Sequence, residues 1–416
     1  MTIKYRLSKD TVKGSQFFRS LTQDYPQLDW HDTPKTSYGI KCHWGQRKLM
    51  FSEIEFLALV AKKHDLKDFL VVYVGSACGI HLNIFKRMFP SVQWLLYDGA
   101  KFSIKPHSNF IIREGTKGFF TDDTVQEVLE IANGRKILFI SDIRLSTNED
   151  RILDDMLSQQ RWAIMLDAEA IMLKMRLPYS YPTKNNARQV HDSIRNRLDD
   201  TRTDAKIKDK LVLPPKSKNP LDVLYLDGAV QLQLYAPNFS TETRLISFRD
   251  NGKYRMRYYD AYKYEAQMLY FNENDRVKTT FKHHDSDKIK DHIVGVDDGY
   301  ESMAEYIIIE QYLQHVKKVK PTFEHVLQEL YLVDSELRHL TKRSFIDCNE
   351  YTTNKYSREE KLHQTEKQRI NSMTKDHSRM IQQSLQEQLS KIRGYIKNCT
   401  GILKKEQYEE QLKFYG

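Results

Sequence analysis

From Gln46 to about Leu66 apolar residues recur at helical spacing, and a continuous apolar run, Phe69–Gly75, follows directly. The first pattern predicts an amphipathic helix and the second a strand buried on both faces. Strand and helix signals then alternate. His81–Phe89 reads as a helix, Val92–Asp98 as a strand, and a further strand lies near Asn109–Arg113. Asp122–Ala132 reads as a helix opened by acids, which suits its dipole. Ile137–Ile143 is a buried strand, Glu149–Arg161 a helix, and Ala163–Leu173 a strand followed by Lys174. Such alternation predicts an α/β fold with a parallel sheet covered by helices on both faces.

Around Thr183–Asp222 the periodicity fades into a charged stretch ending in LPPKSKNP. This reads as an insertion, partly helical, outside the sheet. In VLYLDGAVQLQLY, Asp227-Gly228 separates two alternating runs, which predicts a β-hairpin. Glu242–Phe248 reads as the last strand, and Tyr264–Tyr270 and Glu301–Leu340 as closing helices. Residues up to about Lys41 have weak periodicity and are expected to lie across the surface. The chain therefore divides into a domain over residues 1–343, with its insertion at 183–222, and a polar tail over 344–416. In the tail Ile381, Leu385, Leu389, Ile392 and Ile396 still form one helical stripe. An amphipathic, partner-binding helix and a disordered, solvated segment both fit that composition.

Length and charge add context. The 416 residues exceed one typical domain, and 65 Lys and Arg against 56 Asp and Glu leave a formal charge of +9. With 24 Tyr and 19 Phe, this balance suits a partner that carries phosphates and stackable bases; it equally suits a merely basic enzyme. Cys42, Cys78, Cys348 and Cys399 are scattered, so neither a disulfide framework nor a metal site is indicated, and a reducing compartment is expected. No apolar stretch approaches the roughly 20 residues that span a bilayer, and the expectation is an intracellular, soluble protein without a membrane partner.

The candidate chemistry begins at FLVVYVGSACG, where the strand ends in a glycine-bearing loop. About twenty residues on, VQWLLYD ends in Asp98. Gly75, Ser76, Ala77 and Gly79 let backbone pass close to a ligand, and an acid at the second strand tip can bind ribose hydroxyls. The loop is not GxGxxG and no Walker lysine follows, which favours S-adenosylmethionine over a dinucleotide or NTP. A tightly packed turn beside an ordinary strand-end Asp accounts for the same residues. Further along, Asp142 ends a strand, Lys174 closes another, Glu242 starts the last, and Lys48 lies in the leading helix. Each alone is a common strand or helix terminator. In the order Lys, Asp, Lys, Glu they resemble the tetrad of RNA ribose 2′-O-methyltransferases.

Six ordered blocks sharpen this: GQRKLMFSEIEFL, VVYVGSACGIHL, ILFISDIR, LKMRLPY, YAPNFSTETRLIS and YEAQMLY. Together they resemble the poxvirus cap-specific mRNA 2′-O-methyltransferase family, whose members also serve as the small, processivity subunit of the viral poly(A) polymerase. The resemblance runs from about Leu28 to Leu340, outside the insertion and tail. It implies a Rossmann-like SAM-dependent methyltransferase fold with an insertion and a helical C-terminal extension. It makes Lys48, Asp142, Lys174 and Glu242 the catalytic tetrad, with Lys174 as the base or the group that steers the hydroxyl. The cofactor positions are Gln46, Gly75, Ser76, Ala77, Gly79, His81 and Asp98. Cys78 stands where Pro is expected, and Ala100 where Arg is expected, which removes one cofactor contact.

The same resemblance implies a cap pocket. Trp30 and Tyr179 match the two aromatics that sandwich 7-methylguanine, Phe239 a lining residue, and Glu265 one acid. The second acidic position reads as Tyr181. Arg144 and Arg176 match RNA-facing side chains; Arg244 is a third candidate for phosphate and equally a structural partner of Glu242. The implied partners are the capped 5′ end of mRNA and a poly(A) polymerase catalytic subunit, and the implied location is the virion and host cytoplasm. Either an enzyme or an RNA-binding polymerase subunit with methylation secondary fits these residues.

Overall fold

The computed structural model describes residues 1–6, 16–29, 44–144, 148–185, 187–237, 240–276 and 299–342. The 344–416 tail and its apolar stripe lie outside the described residues.

At the centre is an eight-stranded sheet. From one edge to the other its strands are Ser20–Leu21, Ala229–Gln231, Thr243–Phe248, Ala170–Met175, Lys136–Ser141, Phe69–Val74, Gln93–Asp98 and Phe110–Glu114. The last five are mutually parallel, and Thr243–Phe248 and Ala229–Gln231 join antiparallel. Every residue of Phe69–Val74 is buried, as the unbroken apolar run requires of a strand covered on both faces. Chain order reverses between Phe69–Val74 and Lys136–Ser141, and doubly wound sheets bind ligands beyond the strand ends at such a point. Asp142 donates its N–H to Val74 O there, at 2.9 Å. The α/β reading and its Rossmann-like strand order therefore hold.

The Gly45–Ala61 helix leads into the first parallel strand, and Tyr300–His315 packs along it with Phe323–Thr341 alongside. Arg47 locks this arrangement. Its buried guanidinium donates to Glu305 Oε2 at 2.6 Å and to Asp334 Oδ1 at 2.8 Å, one acid from each closing helix. Among the described residues, 183–222 contribute no strand to the main sheet. They hold the Asp192–Asp199 helix and short turns, and Leu211–Val212 joins a separate three-stranded sheet with Tyr254–Asp260 and Asp222–Leu226.

Four expectations need correction. Asp227-Gly228 closes no hairpin: Asp222–Leu226 pairs with Tyr254–Asp260, whereas Ala229–Gln231 pairs with Thr243–Phe248 and Ser20–Leu21. Neither turn residue has the positive φ that a type I′ turn needs; Gly228 is small because a Cβ would meet Ile246 O at 2.4 Å. The tight turn is at Asn251-Gly252, with φ of 50° and 76°, and it leads into Tyr254–Asp260, a strand beyond the one read as last. Ala163–Met165 still belongs to the preceding helix, Glu149–Met165, so the strand begins at Ala170 and Lys174 lies inside it. Finally, the N-terminal segment is not merely superficial. Ser20–Leu21 forms the sheet edge, and buried Arg19 pairs with Glu55 at 3.0 Å.

Candidate active site

Four ionisable side chains converge at the carboxyl edge of the parallel strands. Asp142 is the first residue past Lys136–Ser141, Lys174 stands one from the end of Ala170–Met175, and Lys48 lies in the first turn of the Gly45–Ala61 helix. Glu242 immediately precedes Thr243–Phe248, which runs antiparallel, so its start lies at this edge. Lys174 Nζ bridges the carboxylates, 3.2 Å from Asp142 Oδ1 and 3.3 Å from Glu242 Oε2. Lys48 Nζ donates to Glu242 Oε1 at 3.0 Å, and Gln233 Nε2 donates to the same oxygen at 3.2 Å. The four residues form one connected cluster.

A fifth charge completes it. Arg244 sits opposite Lys174 in the antiparallel register, is 1% exposed, donates to Asp142 Oδ1, and holds Nη1 3.8 Å from Glu242 Oε1. Burial this deep removes Arg244 from the reach of a phosphate and favours its alternative as a structural cation. The signal was in the sequence: residues two apart on a strand share a face, so Arg244 follows Glu242 toward the cluster. Burial pushes both carboxyls toward the protonated form. Arg244 and Lys174 nevertheless hold Asp142 below its usual 3.8, and Lys174 and Lys48 hold Glu242 well below 4.5.

Arg144 and Arg176 flank the cluster. Burial lowers the proton affinity of the Arg144 guanidinium, and its Nη1 has no hydrogen-bond partner among the described residues. Arg176 pairs with Glu149 and lies over the Tyr179 ring, 4.7 Å from its centroid.

On the neighbouring strand tips, Gly75 donates its N–H to Tyr97 O at 2.9 Å, which tucks the loop against the second strand. Asp98 Oδ2 accepts from Ala77 N at 2.9 Å, and Oδ1 from Ala100 N at 2.8 Å. Each oxygen keeps a lone pair, which fits two vicinal ribose hydroxyls. Ala100, where the resemblance led to an expectation of Arg, contributes its backbone N–H to Asp98. Ser76 is buried and donates to Tyr73 O, while Ala77 is half-buried in the same loop as Gly79. Both His81 ring nitrogens are engaged, Nδ1 2.8 Å from Gln46 Oε1 and Nε2 2.8 Å from Glu53 Oε2, so His81 acts on the pocket through Gln46. Glu53, which also accepts from Tyr73 OH at 2.7 Å, looked in sequence like an ordinary helix residue. Among the described residues no group of three or more His, Cys, Asp and Glu side chains could hold a metal ion.

Of the cap-pocket residues, Trp30 and Phe239 lie outside the described residues. Tyr179 is 42% exposed, and its hydroxyl is 3.3 Å from Thr241 Oγ1. Glu265, in the Ala261–Tyr270 helix, is buried with Oε2 lacking any hydrogen-bond partner among the described residues. Burial pushes its carboxyl up, against Arg188 and Arg176. A buried acceptor without a protein partner is a place for a ligand donor. The segment just before Trp30 is stitched to the same helix: Leu28 N donates to Ala266 O at 3.0 Å, and Tyr262 OH to Asp29 Oδ1 at 3.1 Å. Tyr181 is half-exposed and accepts from Gln189 Nε2 at 2.6 Å. Tyr264, next to Glu265, donates its hydroxyl to Thr241 O and lies 3.0 Å from Thr243 Oγ1, beside Glu242.

A Rossmann-like sheet thus carries a two-lysine, two-acid cluster at its carboxyl edge. Residues 17–187 match the family model described as "Poly A polymerase regulatory subunit". The chain is 25% identical over 268 residues to the cap-specific mRNA (nucleoside-2′-O-)-methyltransferase of Myxoma virus (strain Lausanne), covering 60% of this chain and 65% of that protein. It is 29% identical over 252 residues to the protein of the same description in Fowlpox virus (strain NVSL), covering 56% of this chain and 68% of that protein. The chain thus spans just under two thirds of the length of the Myxoma relative. Among solved structures, bluetongue virus VP4, described as a multifunctional RNA-capping production line, matches with TM-score 0.37 and 13% identity over 58% of this chain and 33% of that one. The resemblance carried by the six sequence blocks is therefore found again in similarity to poxvirus proteins over 56–60% of the chain. No helix among the described residues is long and apolar enough to cross a membrane.

Proposed function

We propose that this protein transfers a methyl group from S-adenosylmethionine to the ribose 2′-oxygen of the first transcribed nucleotide of 7-methylguanosine-capped mRNA, converting cap 0 to cap 1. The observation that carries the reading is the bridging of Asp142 and Glu242 by Lys174 at the sheet edge, with Lys48 on the second acid. The sulfonium of S-adenosylmethionine supplies a methyl already activated for in-line displacement. Asp98 and the Gly75–Gly79 loop hold the adenosine end, and Gln46, oriented by His81, faces the rest of the pocket.

The protein's task is then to align the 2′-oxygen and manage its proton. Lys174 is a tetrahedral amine with two directions fixed by carboxylates. The remaining direction is the one that meets the hydroxyl, as a lone pair that takes the proton or an N–H that steers the oxygen. Lys48 keeps Glu242 ionised and fixed. Arg144 and Arg176 hold the first phosphates by charge-assisted hydrogen bonds. At the far end, Trp30, Tyr179 and Phe239 enclose the cationic base and Glu265 accepts its N–H groups.

The matched family description favours a second role for the same chain, as an RNA-binding partner of a poly(A) polymerase catalytic subunit. A chain that served only as a clamp has no use for a buried lysine that bridges two acids with a second lysine on one of them, so methylation is the primary reading. The proposed setting is a virion and the cytoplasm of its host. Incubation with S-adenosylmethionine and short capped or uncapped RNA, followed by digestion to map the methyl group, tests the reading. A methyl on the first ribose of capped RNA alone is expected; none, or equal methylation of uncapped RNA, rejects it.

A further inference from the structure

We infer that the lysines gathered where the Gly45–Ala61 and Tyr300–His315 helices end form a second RNA contact, which holds backbone phosphates of the transcript well downstream of its first nucleotide. This goes beyond the proposed function and rests on it only for the class of ligand. Lys62 and Lys63 come from one stretch of chain, and Lys317, Lys318 and Lys320 from another. They meet at the amino edge of the parallel strands, away from the reacting cluster. Lys318 Nζ donates to Ala61 O at 3.2 Å, and Lys63 Nζ lies 5.9 Å from the ring centroid of Phe248, which pairs with the first residue of Ala170–Met175. Burial, with the charges of Lys62 and Lys318, pushes the His315 imidazole below its usual 6.5, so both cations act on the same ring.

This face carries charge without counter-charge. All five lysines are exposed, and none pairs with a carboxylate among the described residues. Of the two acids in the adjoining turn, Asp65 pairs with Lys67 at 3.0 Å, which leaves Asp68. The two helix C-termini add about half a negative charge each, too little to balance five lysines. The insertion is the contrast: its Arg197, Lys206, Lys210 and Lys216 each pair with an aspartate.

The residue types select the partner. Cores of protein interfaces are poor in lysine and rich in aromatics and arginine, whereas the large apolar side chain exposed among these lysines is Val319. Flexible ammonium groups suit a run of phosphates, and a phosphate contact reads no sequence. Lys48 and Lys62 bracket the Gly45–Ala61 helix, about 21 Å apart along its axis at ~1.5 Å per residue. A stacked strand rising ~3.4 Å per nucleotide needs about six nucleotides to cover that distance, so only longer RNA engages both ends.

The test measures binding to the full chain by fluorescence anisotropy across a salt series, with uncapped RNA of about 30 nucleotides and capped RNA of about 3. Lys62→Gln/Lys63→Gln/Lys320→Gln removes three unpaired charges and keeps Lys318 on Ala61 O. Lys206→Gln/Lys210→Gln/Lys216→Gln removes three paired ones as the control. At about −0.7 per phosphate for single strands, the first variant should flatten the slope of log affinity against log salt by about 2 for the long RNA. It should also weaken that RNA at least about tenfold near ~0.1 M salt, and leave the short one within about twofold. In the wild type, the long RNA and not the short one should protect Lys62, Lys63 and Lys320 from acetylation, read by mass spectrometry.

An unmoved slope, an equal loss in the control, or equal acetylation with and without long RNA would leave these lysines a solvated face. Unchanged RNA affinity with lost binding to phosphatidylserine vesicles would assign them to a lipid surface. Each of these results overturns the inference. A protein inert in methyl transfer rejects the proposed function and leaves the binding measurements to decide this one.

Discussion

Lys48 Nζ lies 3.0 Å from Oε1 of Glu242, although 194 residues separate them along the chain. Nothing local holds that distance. It depends on how the Gly45–Ala61 helix docks, and the neighbouring residue, Arg47, fixes the docking through Glu305 and Asp334. The geometry of the cluster is thus set partly from the two closing helices.

Replacing Arg47 with Met should therefore cost stability as well as activity. It removes the buried cation that pairs with Glu305 and leaves Asp334 with Arg338 alone, and breaking a buried ion pair from one side costs about 3–5 kcal/mol. Denaturant titration should show a midpoint shift of that size, whereas Arg338→Met, on the exposed side of Asp334, should cost less than about 1 kcal/mol.

Lys174→Ala should abolish methyl transfer while S-adenosylmethionine and cap-analogue affinities stay near wild type, because Lys174 touches neither proposed ligand pocket. Lys174→Arg should fail as well, since arginine cannot take a proton. Single-turnover kinetics check both, and wild-type turnover in the Arg variant would show that charge alone steers the hydroxyl.

Asp98→Ala should weaken S-adenosylmethionine by about 1–3 kcal/mol, the range for hydrogen bonds to a charged group. Titration calorimetry gives the value directly. Unchanged affinity would move the ribose elsewhere.

The cap pocket should prefer 7-methyl-GTP to GTP by at least about tenfold, because a cation between aromatic faces gains ~1–2 kcal/mol per face. Tyr179→Ala should remove most of that preference, and Glu265→Ala should weaken both nucleotides. Quenching of tryptophan fluorescence reports the binding, and equal quenching by the two nucleotides would refute the pocket.

Acid should loosen the cluster. Asp142 and Glu242 are held below their usual 3.8 and 4.5, so each contributes stability above its unfolded value that is lost as pH falls through its folded value. Between about pH 5 and pH 2 the stability of the wild type should therefore fall more steeply than that of Glu242→Gln. Parallel acid titrations followed by circular dichroism would contradict this.

Four of the parallel strands were legible in sequence as apolar runs, whereas Phe110–Glu114 at the sheet edge is only partly buried; Lys48, Asp142, Lys174 and Glu242 stood out through their order and the sequence blocks that carry them. Asp227-Gly228 misled for a physical reason. Glycine there answers a close approach to Ile246 O, and the residue pair alone does not distinguish that from a positive φ. Lys174 was placed outside its strand because a lysine in a buried strand contradicts patterning; only the register with Arg244 and the two acids accounts for it. Glu53 acts through His81 and Tyr73, partners distant in sequence, and periodicity carries no information about such pairs.

Tyr264 has a consequence for what the site accepts. Its hydroxyl ties the turn that carries Glu265 to Thr241 and Thr243, the residues on either side of Glu242. On the proposed function, the base-reading end and the reacting end are thereby built on one gauge. Such a gauge rejects by length: a ligand with the right base but one linker unit too many or too few cannot seat both ends together.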